Sequence, residues 1–281
     1  MKKMAKAAAL IAAMVLAAGL TACQKKESAG GSGAIKVSAK DAEKAAGYLI
    51  MDGTTVMGYK EGLPAKLVIP AGVTEIGKEA FQDCKSLKSV VIQDGVTVIG
   101  ERAFSGCESI TSVVIPEGVT EIGKRAFFSC DKLKSVTIPD GVTKIGAWAF
   151  SCCYSLTEVT IPGSVKTIDK SAFDGCDKLE SVFISEGVTE IGKEAFNGCT
   201  SLKSVTIPAS VTLIGNKALD CDGDFASASL EEINYAGTKA QWEEIETTYE
   251  TGYVKRDEYT KNKTHIGFKG IVNCADGVVR L

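Results

Sequence analysis

Six cysteines recur every 23 residues, and thiols in a regular row could form disulfides or bind a metal ion. They are Cys84, Cys107, Cys130, Cys153, Cys176 and Cys199. On stacked strands, equivalent Cβ atoms would lie about 5 Å apart, whereas a disulfide needs about 3.5–4.5 Å. The spacing therefore favours small buried core residues over a chain of disulfides or a metal stack. The candidates for redox chemistry or pairing are those outside this row, Cys152, Cys221 and Cys274.

Four acidic side chains show the spacing of a calcium-binding loop. Positions 1, 3, 5 and 12 of that pattern are occupied by Asp220, Asp222, Asp224 and Glu231. Phe225, however, stands where the pattern requires a glycine for its sharp turn. We therefore expect a solvated acidic loop, with calcium binding as the weaker alternative.

Histidine is scarce, which restricts the enzyme chemistry open to this chain. His265 is the only histidine among 281 residues, so multi-histidine zinc sites are excluded and any Ser-His or Cys-His mechanism depends on it alone. No motif typical of a catalytic nucleophile lies near His265 in the sequence, and the spacing of the acidic residues does not indicate a catalytic pair of carboxylates. The formal net charge of −3 argues against a nucleic-acid partner. We expect a protein without catalytic residues or cofactors.

The N-terminal segment has the features of an export signal. Three lysines precede an apolar run over residues 7–19, which is too short to span a bilayer. Leu20–Cys23 (LTAC) then resembles the lipobox of bacterial lipoprotein precursors. This resemblance implies removal of residues 1–22, lipidation of Cys23 and a membrane contact through that lipid only, with residues 23–33 as a flexible tether. Ordinary secretion with cleavage nearby is the alternative.

The cysteine row belongs to a 23-residue repeat that organises more than half of the chain. Alanine and phenylalanine recur with the same step, although Leu219 replaces the last phenylalanine. Seven isoleucines mark the repeats, which we number 1 to 7 by Ile76, Ile99, Ile122, Ile145, Ile168, Ile191 and Ile214. A fixed period of this length predicts an α/β solenoid over residues 67–229, with an N-terminal cap at 34–66 and a C-terminal cap at 230–281.

Each part of a repeat predicts a structural element, as Leu87–Ser109 illustrates. The alternation of apolar residues around Val90 and Ile92 predicts a strand with one buried face. Asp94–Gly95 predicts a turn, and Glu101–Cys107 predicts a short helix or helical turn. One repeat holds too few apolar side chains to offset its conformational entropy, so it must be stabilised by its neighbours.

The residues that alternate with the core positions would face outward from the main sheet. We predict that they form a ligand-binding face, comprising Val91, Val114, Thr137, Thr160, Phe183 and Thr206. Most are β-branched, a type that suits strands, so strand propensity alone explains them equally well. Phe183 is different, because an outward phenylalanine among threonines serves no need of strand packing.

The repeat resembles the BspA-like leucine-rich repeats of bacterial surface proteins. Its signature, LxxVxIPxxVTxIGxxAFxxC, is matched almost fully by Leu133–Cys153. Residues 48–66, 233–238 and 272–277 are also similar to the caps of that family. The resemblance implies a leucine-rich-repeat solenoid, a place on the cell surface, and adhesion to an extracellular protein or glycan.

Two other functions stay open. A structural envelope component would bind other surface proteins of the same cell. An enzyme would need a cleft near His265, and it is the least supported because a fold alone does not confer chemistry.

Overall fold

The chain forms a β-solenoid of about seven stacked turns of about 23 residues, built mostly of strands with little helix. The structure is a computed structural model that describes residues 44–221, 230–248, 266, 268 and 270–281. Most turns contribute one longer strand to a main sheet and one two-residue strand to a narrow sheet. A third side consists of tight turns. The predicted repeat solenoid is therefore confirmed.

The main sheet consists of two blocks in which repeat strands pair in parallel with a step of 23 residues. The first block contains β3 (Lys66–Ile69), β5 (Ser89–Ile92), β7 (Ser112–Val114) and β9 (Ser135–Val136). The second contains β11 (Glu158–Ile161), β13 (Ser181–Ile184), β15 (Ser204–Ile207), β17 (Glu232–Tyr235), β19 (Ile271–Cys274) and β20 (Gly277–Arg280). β17 and β19 continue the parallel pairing after longer connections, and β20 pairs antiparallel with β19. Where the blocks meet, the Thr157 amide donates to the Lys134 carbonyl (N···O 3.2 Å), so the stack of repeats continues.

The narrow sheet contains ten strands and buries one isoleucine of each repeat. It begins with an antiparallel hairpin of β1 (Leu49–Asp52) and β2 (Thr55–Tyr59). The parallel strands that follow are β4 (Glu75–Ile76), β6 (Val98–Ile99), β8 (Glu121–Ile122), β10 (Lys144–Ile145), β12 (Thr167–Ile168), β14 (Glu190–Ile191), β16 (Leu213–Ile214) and β18 (Glu246–Thr247). The isoleucine that ends each of β4 to β16 is at most 1% exposed.

The third side, which we call the turn side, differs from the short helix or helical turn expected over Glu101–Cys107. Arg102 (φ 53°) and Gly106 (φ 71°) have left-handed backbones. The amides of Arg102, Phe104 and Gly106 donate to carbonyls of the next repeat at 2.8–2.9 Å. An α-helix would use these amides within its own segment, and so short a helix is marginal by itself. Hydrogen bonds between repeats therefore determine this backbone.

A stack of phenylalanine rings runs through the core. The rings belong to Phe81, Phe104, Phe127, Phe150, Phe173 and Phe196, and each is fully buried. Neighbouring centroids lie 5.1–5.4 Å apart with nearly parallel planes. Tyr59 of the N-terminal hairpin extends the stack, with its centroid 5.9 Å from that of Phe81. The hairpin therefore continues the core as well as the narrow sheet.

A short helix packs beyond repeat 7. Thr238 caps α1 (Lys239–Glu244) and forms a capping box with Gln241. Trp242 is 1% exposed and packs edge-on against Tyr235, with ring centroids 5.3 Å apart. These aromatic side chains supply apolar contacts that a further repeat would otherwise provide.

Candidate ligand-binding face

The predicted binding residues form an outward column on the main sheet, which we call the outer row. Its members within the repeats are Val68, Val91, Val114, Thr137, Thr160, Phe183 and Thr206. Strand pairing aligns the three valines in the first block, and it aligns Phe183 between two threonines in the second. Thr137 is exposed directly after β9, where the blocks meet. The predicted residues thus fall into two aligned groups with Thr137 between them.

Phe183 presents its ring to solvent from a rigid strand. Its exposure is 37%, whereas Val182 and Ile184 on either side are buried. The neighbours across the strands are the smaller Thr160 and Thr206, so no bulky side chain covers the ring from the adjacent strands. A ring held in this way loses little conformational freedom when a ligand covers it.

The outer row continues beyond the repeats, which the 23-residue period did not predict. Thr206 pairs with Asn234, Asn234 with Asn273, and Asn273 with Val278. The chain between these strands is longer than one repeat, so no fixed step connects them. The pattern that could have predicted Asn234 in the outer row is the alternation of buried and outward residues in β17, which repeats that of β15.

Two asparagines and a glutamate form a hydrogen-bonded group at this end of the outer row. The Asn273 Nδ2 donates to Asn234 Oδ1 (3.1 Å) and to Glu232 Oε2 (3.0 Å). The Asn234 Nδ2 donates to Glu232 Oε1 (3.5 Å). Because these bonds orient the amides, the group offers polar atoms in fixed positions to a ligand.

Exposed aliphatic side chains flank that polar group. Ile271 is 40% exposed and pairs across the strands with Glu232, while Val278 is 49% exposed and pairs with Asn273. Together with Phe183, they give the second block both apolar area and hydrogen-bonding groups. This combination is typical of a binding surface.

The cysteine row is buried in the core, as predicted, and its thiols act as hydrogen-bond donors. Five of them donate to a phenylalanine carbonyl of the preceding repeat at 3.0–3.3 Å. Burial raises the pKa of Cys107 to about 12 and that of Cys130 well above its ordinary value. These two thiols therefore stay protonated at neutral pH, and neither supplies a thiolate for catalysis or metal binding.

Cys221 belongs to this row, so its expected place outside the row is wrong. It is 1% exposed, and its thiol donates to the Phe196 carbonyl at 3.7 Å. It follows Leu219 by two residues instead of the usual three, and that shift concealed it in the sequence. Cys152 and Cys274 do lie outside the row and are half-buried.

The other candidate groups lie partly or wholly outside the described residues. Those outside are Cys23, Asp222, Asp224 and His265. Asp220 and Glu231 are described, but the acidic loop between them, for which calcium binding was the weaker alternative, mostly is not. Within the described part of the chain, no cluster of three or more His, Cys, Asp or Glu side chains could hold a metal ion. No helix there is long and apolar enough to cross a membrane.

Several solved leucine-rich-repeat structures are similar to this chain. A Bacteroides ovatus protein is 33% identical with a TM-score of 0.54, over 62% of this chain and 50% of that one. The T. pallidum leucine-rich-repeat protein is 27% identical with a TM-score of 0.45, over 64% and 72%. The pneumococcal vaccine antigen PcpA is 18% identical with a TM-score of 0.49, over 66% and 45%. The similarity in fold rests on the first of these, of which the chain spans about half the length. No curated protein matches the chain.

A family model covers the repeats themselves. The BspA type leucine-rich repeat region, in six copies, matches residues 60–176 and 97–222, which together make up more than half of the chain. These residues carry the isoleucine, phenylalanine and cysteine rows that form the core. Such repeats indicate a protein that interacts with other proteins. The chain belongs to the BspA-type leucine-rich-repeat family.

Proposed function

We propose that the protein binds an extracellular protein or glycan through the outer row while a lipid on Cys23 anchors it at the cell surface. The observation that carries this proposal is the exposed ring of Phe183 in an aligned column of smaller side chains. Family membership supports an interaction function, and the LTAC motif supports the anchor.

The second block has the size and chemistry for an extended ligand. Its six strands, spaced about 4.8 Å apart, span about 24 Å, which accommodates a short peptide, a glycan or the edge of a protein. Phe183 and Ile271 offer apolar contact, and Asn234 and Asn273 offer amide groups. The aromatic side chain is the expected anchor, because a few buried aromatic residues usually dominate interface energetics.

Binding is also the function that best fits the chemistry of the core. Among the thiols of the cysteine row, those of Cys107 and Cys130 are buried with raised pKa values, so neither is an activated nucleophile. We therefore propose a binding protein rather than an enzyme.

A binding screen tests the proposed function. The purified protein is applied to arrays of extracellular-matrix proteins and glycans, with the Phe183→Ala variant in parallel. Adhesion predicts a ligand on the arrays that the wild-type protein binds and the Phe183→Ala variant does not bind. Cross-linking only to surface proteins of the same cell would instead support the envelope role. If the Phe183→Ala variant bound the ligand as strongly as the wild-type protein, the outer-row proposal would be contradicted.

The lipid anchor has its own test. Cys23→Ser removes the sulfur that would carry the diacylglycerol, so the protein should leave the membrane fraction and lose labelling by a fatty-acid probe. A Cys274→Ser variant, which changes a cysteine outside the LTAC motif, should fractionate like the wild type. If Cys23→Ser protein stayed in the membrane fraction, the lipoprotein assignment would be wrong.

A further inference from the structure

Three basic side chains surround one indole ring on the turn side of repeats 3 to 5. The ring of Trp148 has its centroid 4.9 Å from Arg125 Cζ, 5.2 Å from Lys170 Nζ and 5.5 Å from Lys124 Nζ. Arg125 Cζ also lies 5.8 Å from the ring centroid of Phe128. Each distance is within the range of a cation–π contact. We call these five residues the basic cluster.

The basic cluster interrupts a pattern of ion pairs between neighbouring repeats. On the turn side, Lys78 pairs with Glu101 (3.5 Å) and Lys85 with Glu108 (3.0 Å). Arg102 likewise pairs with Glu79 (3.0 Å). In repeat 4 the positions equivalent to Lys78/Glu101 and to Glu79/Arg102 hold Ala147 and Trp148. Glu101, one step before Lys124, pairs with Lys78 and Arg102 instead. Within the described residues, the basic groups of Lys124 and Arg125 have no carboxylate partner within 4 Å, and Lys170 has Glu194 at 3.7 Å.

The indole of Trp148 has three cations within 5.5 Å of its centroid. Trp148 is only partly exposed, and the Nε of Arg125 is buried without a hydrogen-bond partner. The guanidinium is thus held by its contacts with the two rings. Since the three positive charges grouped around one ring repel one another, a negatively charged partner would relieve an unfavourable arrangement.

We propose that the basic cluster binds an acidic segment of a polypeptide, with the partner's carboxylates on Lys124 and Arg125. This surface is on the turn side rather than on the main sheet, so the proposal does not depend on the outer row. Arg presents paired N–H donors that match a carboxylate, and clusters of basic side chains are a known mode of recognising acidic segments. Trp148 acts as a positioning residue.

The geometry favours a peptide over a glycan or a membrane. With three cations within 5.5 Å of its centroid and only part of its surface exposed, the indole offers little ring face for a sugar or for insertion among lipids. The cluster also contains no acceptor side chain for sugar hydroxyls. Repeats 3 and 5 are two steps apart, about 10 Å at the usual strand spacing. Carboxylates two or three residues apart on an extended chain are separated by about 7–10 Å. While one carboxylate contacts Lys124 or Arg125 in repeat 3, a nearby one on the same segment can therefore reach Lys170 in repeat 5.

Fluorescence anisotropy with a labelled hexaglutamate peptide tests this proposal on the purified full chain. The Lys124→Gln/Arg125→Gln variant should bind the peptide at least about tenfold more weakly, equivalent to about 1.4 kcal/mol. The control is Lys144→Gln/Lys203→Gln, which also removes two positive charges, but from lysines already paired with Glu121 and Glu180. Its affinity should stay within about twofold of wild type.

Two further measurements do not depend on that variant. Trp148→Leu should weaken binding and reduce its salt dependence, because the cations would no longer be held together. Hexagalacturonate of equal charge, and phosphatidylserine vesicles, should bind more weakly than the peptide. Equal losses in both double variants would show attraction by net charge only and would overturn the proposal, as would tighter binding of the glycan or the vesicles.

Discussion

At the scale of single residues, the thiols of the cysteine row combine small size with a hydrogen bond. A serine of similar size would place a more polar group in the same dry core, where its desolvation costs more. The weak S–H donor satisfies the phenylalanine carbonyl of the preceding repeat at little cost. This explains why a cysteine suits this buried position.

The pKa of Cys107 predicts a loss of stability at alkaline pH. Its folded-state value is about 12 against an ordinary value of 9.0, so above pH 9 the unfolded chain releases a proton that the folded chain retains. The free energy of unfolding should be unaffected below pH 9 and then fall by about 1.4 kcal/mol per pH unit for this thiol, up to about pH 12. In Cys107→Ala, urea unfolding between pH 8 and 11 should therefore show a shallower decline than in the wild type. Parallel curves would contradict the assignment.

At the scale of the elements, a glycine follows the narrow strand in six of the seven repeats, with Asp169 as the exception, and it allows neighbouring turns to approach. A Cβ at Gly123 would lie 2.7 Å from the carbonyl carbon of Gly100 and 2.8 Å from the amide nitrogen of Glu101. Because both atoms belong to the backbone, Gly123→Ala should cost about 1–3 kcal/mol in urea unfolding. Gly118→Ala is the matched control, since its Cβ would be 3.5 Å from the Val96 carbonyl oxygen, an ordinary contact. Equal stability of the two variants would disprove the close approach.

The strands and the core could be predicted from the repeat period, but the turn side and the end of the binding face could not. A row such as Ile76 to Ile214 determines which side chains share the core, whatever the backbone between them. The turn side depends on hydrogen bonds to the next repeat, as at Arg102, and the period contains no information about them. Asn234 and Asn273 join the outer row through strand pairing after the period has ended.

At the scale of the whole molecule, the C-terminal segment should prevent exposure of an apolar end. Deleting residues 230–281 would remove β17 and β18, which pair with one edge of β15 and of β16, and would uncover side chains such as Ile207 and Leu219. Unpaired strand edges with apolar surface promote aggregation, so light scattering should detect large particles. Thr238→Ala removes only the cap of α1, so it should lower the free energy of unfolding by about 1 kcal/mol. The variant protein should remain monomeric. A truncated protein as stable and monomeric as the wild type would refute the cap assignment.

The affinity of the Phe183→Ala variant for a ligand identified by the array screen tests the proposed function most directly. Truncating a central aromatic side chain commonly costs 2 kcal/mol or more, so the Kd should rise at least about tenfold. The thermal midpoint should hardly change, because the ring is exposed. Glu101→Ala on the turn side should keep the Kd within about twofold of wild type. If Glu101→Ala abolished binding while Phe183→Ala bound like the wild type, the outer row would not be the recognition surface.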